Sequence, residues 1–129
     1  MPFLISAICI IFLDLIWLGV IANSLYRHAL GSLLRLSNNA IQPVWPAAVV
    51  VYIALTLGIV YFVLPRANGK LSLALCWGAL FGFVTYATYD FTNLAVLQNW
   101  SLKITIIDTI WGMVLCGLTS MVTVFFTKL

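Results

Sequence analysis

The chain has 129 residues, of which 64% are hydrophobic and only 7% are charged. A soluble domain carries roughly a quarter charged residues, so this composition excludes a soluble globular protein and indicates an integral membrane protein. The net charge is +3, and so few charges do not make a nucleic-acid-binding surface, so we expect no nucleic-acid partner.

Four apolar segments are long enough to cross a bilayer, since a spanning helix needs about 20 mostly apolar residues. These segments are residues 3–22, 44–64, 71–97 and 102–127. The first lacks a basic leader and contains Asp14, so we expect a retained span and not a cleaved signal peptide. A spanning segment must satisfy its backbone hydrogen bonds internally, which predicts helices. The predicted fold is all-α, a four-helix transmembrane bundle in which residues 1–129 form a single integral membrane domain.

The connection between the first two segments, residues 23–42, predicts a short amphipathic helix lying on the membrane surface. Asn23 or Ser24 is expected to cap its N-terminus. One predicted face of this helix carries Arg27, Gly31 and Arg35. The alternative is that the first spanning helix simply continues into water.

All three acidic side chains of the chain, Asp14, Asp90 and Asp108, lie in the predicted spans. A carboxylate in hydrocarbon costs about 2.5 kcal/mol or more, and intramembrane ionisable groups are functional candidates for that reason. Each Asp lies about nine residues from the membrane side on which the first and third connections emerge. At about 1.5 Å per residue, the three carboxyl groups share one depth. This shared depth predicts a buried polar site.

Helical spacing places further polar and aromatic side chains beside these acids, because residues three and four apart share a helix face. The predicted ligand-binding residues are Asp14, Trp17, Tyr86, Asp90, Asn93, Thr105, Asp108 and Trp111. Together they predict a polar cavity that opens toward the side of the first and third connections, with the first connection above it.

A short pattern occurs twice, since Asp14 and Asp108 are each followed by Trp three positions later and then by Gly. The two helices that carry it run in opposite directions, as an inverted repeat requires. The pattern is too short to establish a duplication.

The predicted function is the binding or transport of a proton, a small cation or an amine-bearing lipid at the acidic site, with the lipid bilayer as the surrounding partner. Four helices make a thin wall around a pathway, so this hypothesis favours a homodimer. The close-packing face of Gly78 and Gly82 or the featureless second helix would supply the interface.

Two alternatives remain open from the sequence. In a lipid-modifying enzyme, the Asp residues would act as acid and base or hold a metal, assisted by Tyr86, Tyr89 and His28. In a structural accessory subunit, polar contacts would secure helix packing alone. The three cysteines have no metal-type spacing, and neither a metal site nor a cofactor is predicted.

Three segments carry a resemblance to a known family: residues 12–19 (FLDLIWLG), 86–95 (YATYDFTNLA) and 108–112 (DTIWG). They resemble a bacterial family of small four-span inner-membrane proteins catalogued as a domain of unknown function. The resemblance covers nearly the whole chain, and residues 86–95 are its most specific part. It implies a multi-pass protein of the bacterial inner, cytoplasmic membrane with this fold, and it supplies no activity.

Overall fold

The computed structural model describes residues 1–34, 36–37, 40–41 and 43–128, the segments 36–37 and 40–41 by their backbone alone. Within these residues, four helices are long and apolar enough to cross a membrane. They are Pro2–Ile21, Trp45–Ala67, Leu71–Val96 and Leu102–Thr127. The predicted all-α, four-helix transmembrane bundle is therefore confirmed. The largest boundary difference falls at the end of the second span, which continues past the predicted residue 64 to Ala67.

Two of the four spans contain a π-helical turn. In chain order they are α1 (Pro2–Ile16), a π-turn (Trp17–Ile21), α2 (Asn23–Leu30), a 3₁₀ turn (Gly31–Leu33), β1 (Leu36–Ser37), β2 (Ala40–Ile41), α3 (Trp45–Gly58), a π-turn (Ile59–Val63), α4 (Leu64–Ala67), α5 (Leu71–Val96) and α6 (Leu102–Thr127). The strands β1 and β2 pair antiparallel, with Leu36 opposite Ile41.

The second span owes its π-turn to Pro65, which follows it by two residues. Proline has no backbone N–H and cannot donate to the preceding helical turn. The helix accommodates it by widening from Ile59 to Val63 and restarting at Leu64, so that Pro65 occupies the second position of α4. The span then ends at Asn68, whose left-handed φ of 51° reverses the chain into α5.

The start of α2 differs from the prediction, which assigned the N-cap to Asn23 or Ser24. The N-cap is Ala22, which has no side-chain acceptor. The π-turn of the first span ends directly on Ala22, whose N–H bonds the Trp17 carbonyl at 2.7 Å. Its own carbonyl already accepts from Tyr26 at 3.0 Å, so Asn23 lies inside the helix. The alternative, in which the first spanning helix simply continues into water, is wrong because the chain leaves the helical conformation at Ala22 and α2 begins there.

The helix of this connection ends before the last residues of the predicted basic face, which were Gly31 and Arg35. The helix ends at Leu30, and Gly31 follows it with a φ of 54°. Arg35, the last member of the predicted face, lies outside the described residues. Tyr26 is instead the buried residue of α2, and it packs with Ala22 and Ile104 in a small core beside the first and third connections.

The antiparallel helices α5 and α6 form the closest pair in the bundle, and glycines make this approach possible. A Cβ atom on Gly78 would lie 2.6 Å from the Cys116 carbonyl oxygen and 2.9 Å from the Gly117 Cα. A Cβ atom on Gly82 would overlap the Gly112 backbone. The face of Gly78 and Gly82 is therefore used within the chain, and the suggestion that it supplies a homodimer interface is wrong.

The second span packs on α1 and reaches α5 mainly through its last turns. One contact of α3 with α5 lies at Gly58, against which the Phe81 ring packs.

Large apolar side chains cover the outside of all four spans. Ile8, Val50, Phe62 and Phe125 are each more than 60% exposed. Contiguous apolar surface on this scale is unusual for a soluble monomer, and it is the surface that a lipid environment requires.

Candidate ligand-binding cavity

A cavity of about 470 Å³ lies in the half of the bundle nearest the first and third connections. All four spans and both of these connections contribute to its wall. Its lining residues are Asp14, Leu18, Tyr26, Leu30, Leu34, Val51, Leu55, Thr85, Tyr86, Tyr89, Asp90, Trp100, Ile104 and Asp108. The first connection covers the cavity through Tyr26, Leu30 and Leu34, as expected from the sequence.

The cavity is less polar than the sequence analysis predicted, because hydrocarbon side chains of four elements form much of its wall. Leu18, Leu30, Leu55 and Ile104 lie between the polar groups. Two of the lining residues, Val51 on α3 and Tyr89 on α5, are also exposed on the outside of the spans, at 53% and 57%.

Asp14 is buried, at 8% exposure, and both of its carboxyl oxygens receive a hydrogen bond. The Tyr52 hydroxyl donates to Oδ2 at 2.7 Å, and the Trp111 indole N–H donates to Oδ1 at 3.0 Å. These donors come from α3 and α6, so Asp14 joins three spans. A buried carboxylate that is satisfied in this way acts as a structural cross-link.

Asp108 is half-buried, and one of its oxygens is held by the first connection. The Tyr26 hydroxyl donates to Oδ1 at 2.6 Å, and the Trp17 indole N–H donates in turn to the Tyr26 oxygen at 3.2 Å. Burial, followed by the negative charge of Asp108, raises the pKa of the Tyr26 hydroxyl above its ordinary value. Tyr26 therefore remains a hydrogen-bond donor, and it fixes α2 over the cavity.

Asp90 is the exception among the three acids. It is fully buried, with 0% exposure, and neither of its carboxyl oxygens receives a hydrogen bond from the described residues. The neighbouring charged group that acts on it is the Asp108 carboxyl, which also lines the cavity. Two carboxyl groups can bond to each other only when a proton or a cation lies between them. The pair therefore either shares a proton, binds a cation or carries the repulsion of two like charges.

The groups acting on Asp14 and Asp90 are hydroxyl, indole and carboxyl groups, with no lysine or arginine of the described residues among them. His28 lies on α2 and does not line the cavity. Among the described residues, no group of three or more His, Cys, Asp or Glu side chains is placed to hold a metal ion.

The two Trp residues of the repeated Asp-x-x-Trp pattern meet in the centre of the bundle. The rings of Trp17 and Trp111 stack with centroids 4.6 Å apart and planes at 8°. Each indole is connected by hydrogen bonds to the Asp of the other helix. Trp111 of α6 donates directly to Asp14 of α1, and Trp17 of the first span donates to Tyr26, which donates to Asp108 of α6. The pattern therefore encodes a reciprocal contact between α1 and α6.

Four of the eight predicted site residues line the cavity: Asp14, Tyr86, Asp90 and Asp108. The other four lie behind it. Trp17 and Trp111 hold the acids as described, and Thr105 is buried and accepts a hydrogen bond from the Trp100 indole at 3.0 Å. Asn93 does not line the cavity.

Sequence reasoning missed Tyr26, Tyr52 and Trp100 as site residues, although each contacts an acid or lines the cavity. Tyr52 stands out in the sequence as one of three hydroxyl-bearing side chains in an apolar second span, with Thr56 and Tyr61. Tyr26 and Trp100 carry a weaker signal, since aromatic residues near span ends are ordinarily interfacial anchors.

The chain belongs to the family described as "Predicted membrane protein (DUF2177)", whose model matches residues 1–125. The resemblance stated from the three sequence segments is therefore confirmed. Comparison with curated proteins finds no match, and comparison with solved structures finds none either.

Proposed function

We propose that this protein binds an amine-bearing amphiphile from the surrounding bilayer, with the ammonium group at the Asp90–Asp108 pair and the hydrocarbon part along the apolar wall. The observation that carries the proposal is the state of Asp90. Both of its oxygens are buried without a donor from the described residues, and the neighbouring charged group that acts on it is the Asp108 carboxyl.

The energetic argument favours a bound cation over packing alone. Two unit charges about 4 Å apart repel by about 4 kcal/mol at an effective dielectric constant of about 20. A bundle that used its acids only for cohesion would give Asp90 neutral donors, as it does for Asp14 through Tyr52 and Trp111. An ammonium between Asp90 and Asp108 would turn this repulsion into charge-assisted hydrogen bonds.

The shape of the cavity supports an amphiphile over a bare ion. A volume of about 470 Å³ falls within the usual range of roughly 300–1,000 Å³ for ligand pockets and exceeds what one ion requires. Leu30, Leu34, Val51 and Leu55 line it with hydrocarbon. Val51 and Tyr89 line the cavity and are also exposed on the outside of the spans, which supports entry of a ligand from the bilayer.

Native mass spectrometry of the detergent-purified protein tests this proposal. The wild type is compared with Asp90→Asn and with Thr88→Val, a matched control on the same helix. The Thr88 hydroxyl is exposed, bonds only the Val84 carbonyl at 2.6 Å and lies outside the cavity. We expect an amine-bearing lipid on the wild type and on Thr88→Val, and its loss from Asp90→Asn.

An equal lipid load on all three proteins would refute the proposal. So would a wild type that carries only lipids without an amine. The helical circular dichroism and the unfolding temperature of each variant are measured alongside, so that a lipid lost through misfolding is distinguished from a lipid lost through the missing charge.

A further inference from the structure

We propose that the end of the second span carries a binding site for the phosphate group of an anionic phospholipid, formed by Arg66 over the ring of Trp77. The site lies beside the second connection, residues 68–70, at the opposite end of the bundle from the acidic cavity. It is independent of the proposed function, because it shares no residue with the cavity.

The guanidinium of Arg66 is held in place by two contacts, although the residue is exposed. Its Nη1 donates to the Phe62 carbonyl at 3.0 Å. Its Cζ lies 5.7 Å from the centre of the Trp77 ring, within the reach of a cation–π contact. Phe62 belongs to the second span and Trp77 to α5, so the guanidinium connects the ends of two spans. A side chain that is already ordered loses less conformational freedom when it binds a ligand.

Arg66 keeps most of its hydrogen-bonding capacity in this position. A guanidinium carries five N–H donors, and among the described residues its acceptor is the Phe62 carbonyl. The remaining donors form a planar fork that matches the oxygens of a phosphate group. Hydrogen bonds of this charge-assisted, bidentate kind are among the strong ones in proteins.

No acidic side chain neutralises this end of the bundle. The chain has three acidic residues, and all three line the cavity near the first and third connections. Lys70, the N-cap of α5, adds a second exposed cation shortly after Arg66. The counter-charge has to come from the surroundings, and anionic lipid headgroups supply it at the membrane surface.

The surface around Arg66 fits a lipid better than a soluble phosphate. Tyr61 is 68% exposed, Phe62 is 61% exposed and Trp77 is 38% exposed. Aromatic residues near span ends lie at the headgroup level, so acyl chains of a lipid held by Arg66 would contact these apolar faces. A zwitterionic lipid fits less well, since its own cationic group would be repelled by Arg66 and Lys70.

Native mass spectrometry with lipid titration tests the site. The delipidated protein in a non-ionic detergent is titrated with phosphatidylglycerol and with phosphatidylcholine of the same acyl chains. Arg66→Gln removes the charge and the fork, Arg66→Lys removes the fork alone, and Trp77→Leu removes the ring alone. Lys103→Gln is the matched control, because it removes one exposed cation at the other end of the bundle. Inorganic phosphate is added in excess as a competitor.

We expect the wild type to bind phosphatidylglycerol more tightly than phosphatidylcholine. Arg66→Gln should weaken the binding of phosphatidylglycerol at least about tenfold, the contribution of a hydrogen bond to a charged group. A cation that acts only through the surface potential contributes about fivefold. Arg66→Lys and Trp77→Leu should bind with intermediate affinity, and Lys103→Gln should bind like the wild type. Inorganic phosphate should not displace the lipid, because it cannot use the apolar surface.

Equal weakening by Arg66→Gln and Lys103→Gln would overturn the proposal, since phosphatidylglycerol would then respond to net charge alone. Equal affinity of the wild type for the two lipids would overturn it as well, and Arg66 would then only anchor the second span. An unchanged affinity of Trp77→Leu would refute the role of the ring and with it the site. Displacement of the lipid by inorganic phosphate would assign the site to a soluble anion.

The helical circular dichroism and the unfolding temperature of each variant are measured alongside. If Arg66→Gln does not fold, Arg66→Lys decides, because it keeps the charge and an aliphatic stem. Weaker binding of phosphatidylglycerol by a folded Arg66→Lys variant supports the site, and an affinity equal to that of the wild type would overturn it.

Discussion

Replacing Asp90 by Asn distinguishes a ligand site from a structural cross-link, because the two roles predict opposite changes in stability. Asn has nearly the shape of Asp but carries no charge and adds an amide donor. At position 90 that amide can donate to Asp108 Oδ2, which receives no hydrogen bond from the described residues in the wild type. The variant protein would then hold the pair together without a proton or a ligand.

The size of the effect follows from the geometry of the pair. Full ionisation of both carboxyl groups would cost about 4 kcal/mol of repulsion at about 4 Å and an effective dielectric constant of about 20. The wild type avoids much of that cost when it holds a proton between the two groups, and that proton already forms one hydrogen bond across the pair. The substitution keeps one such bond, which contributes about 0.6–1.7 kcal/mol in membrane proteins, without requiring a proton. We expect the delipidated Asp90→Asn variant to be more stable than the wild type at a pH at which both carboxyl groups would be ionised, by up to about 4 kcal/mol.

The assay is reversible unfolding in mixed detergent micelles, followed by helical circular dichroism, with and without dodecylamine. Without the amine, Asp90→Asn should unfold at higher denaturant than the wild type and the Thr88→Val control. With the amine, the wild type and Thr88→Val should gain stability while Asp90→Asn does not. If Asp90→Asn is instead destabilised by about 1 kcal/mol or more, then Asp90 is a structural residue and our interpretation of its oxygens is wrong.

Three further substitutions probe the supports of the site, each measured by the same unfolding assay. Asp14→Asn should lower the free energy of unfolding by about 1–2 kcal/mol, because an amide has one acceptor oxygen for the two donors Tyr52 and Trp111; an unchanged value would contradict the cross-link. Tyr26→Phe should cost about 1.5–3 kcal/mol through the bond lost to Asp108, and protection of α2 from hydrogen exchange should fall with it. Gly82→Ala should cost about 3 kcal/mol or more, since its Cβ would meet the Gly112 backbone. Gly19→Ala, with nothing within 4 Å, is its control and should be neutral or slightly stabilising.

The sequence predicts the spans and the depth of the acids because the membrane imposes both. Hydrocarbon thickness sets helix length, and the cost of a buried carboxylate confines Asp14, Asp90 and Asp108 to places where partners exist. Counting residues from Asn99 then places Asp90 and Asp108 opposite each other on antiparallel helices. Their neighbours on the same face, such as Tyr86, follow from the helical repeat.

The partners of the acids could not be predicted in the same way. The second span is apolar on nearly every side, so no periodicity fixes its rotation and none directs Tyr52 toward Asp14. Tyr26 reaches Asp108 only because a π-turn ends the first span at Ile21 and folds α2 back over the bundle. The Gly78 and Gly82 face does predict a close neighbour, but the pattern does not say whether that neighbour is α6 or a second copy of the chain.

The glycine seam also explains why the repulsion between Asp90 and Asp108 cannot be relieved by helix movement. Gly82 lies against the Gly112 backbone, and one turn later the Tyr86 ring fills the space beside Gly112. Continuing one turn along each antiparallel helix brings Asp90 to Asp108. Because backbone contact fixes the spacing of α5 and α6 at Gly82, separating the two carboxyl groups would require breaking the best-packed interface of the bundle. A proton or a cation can neutralise the pair at no cost to that interface.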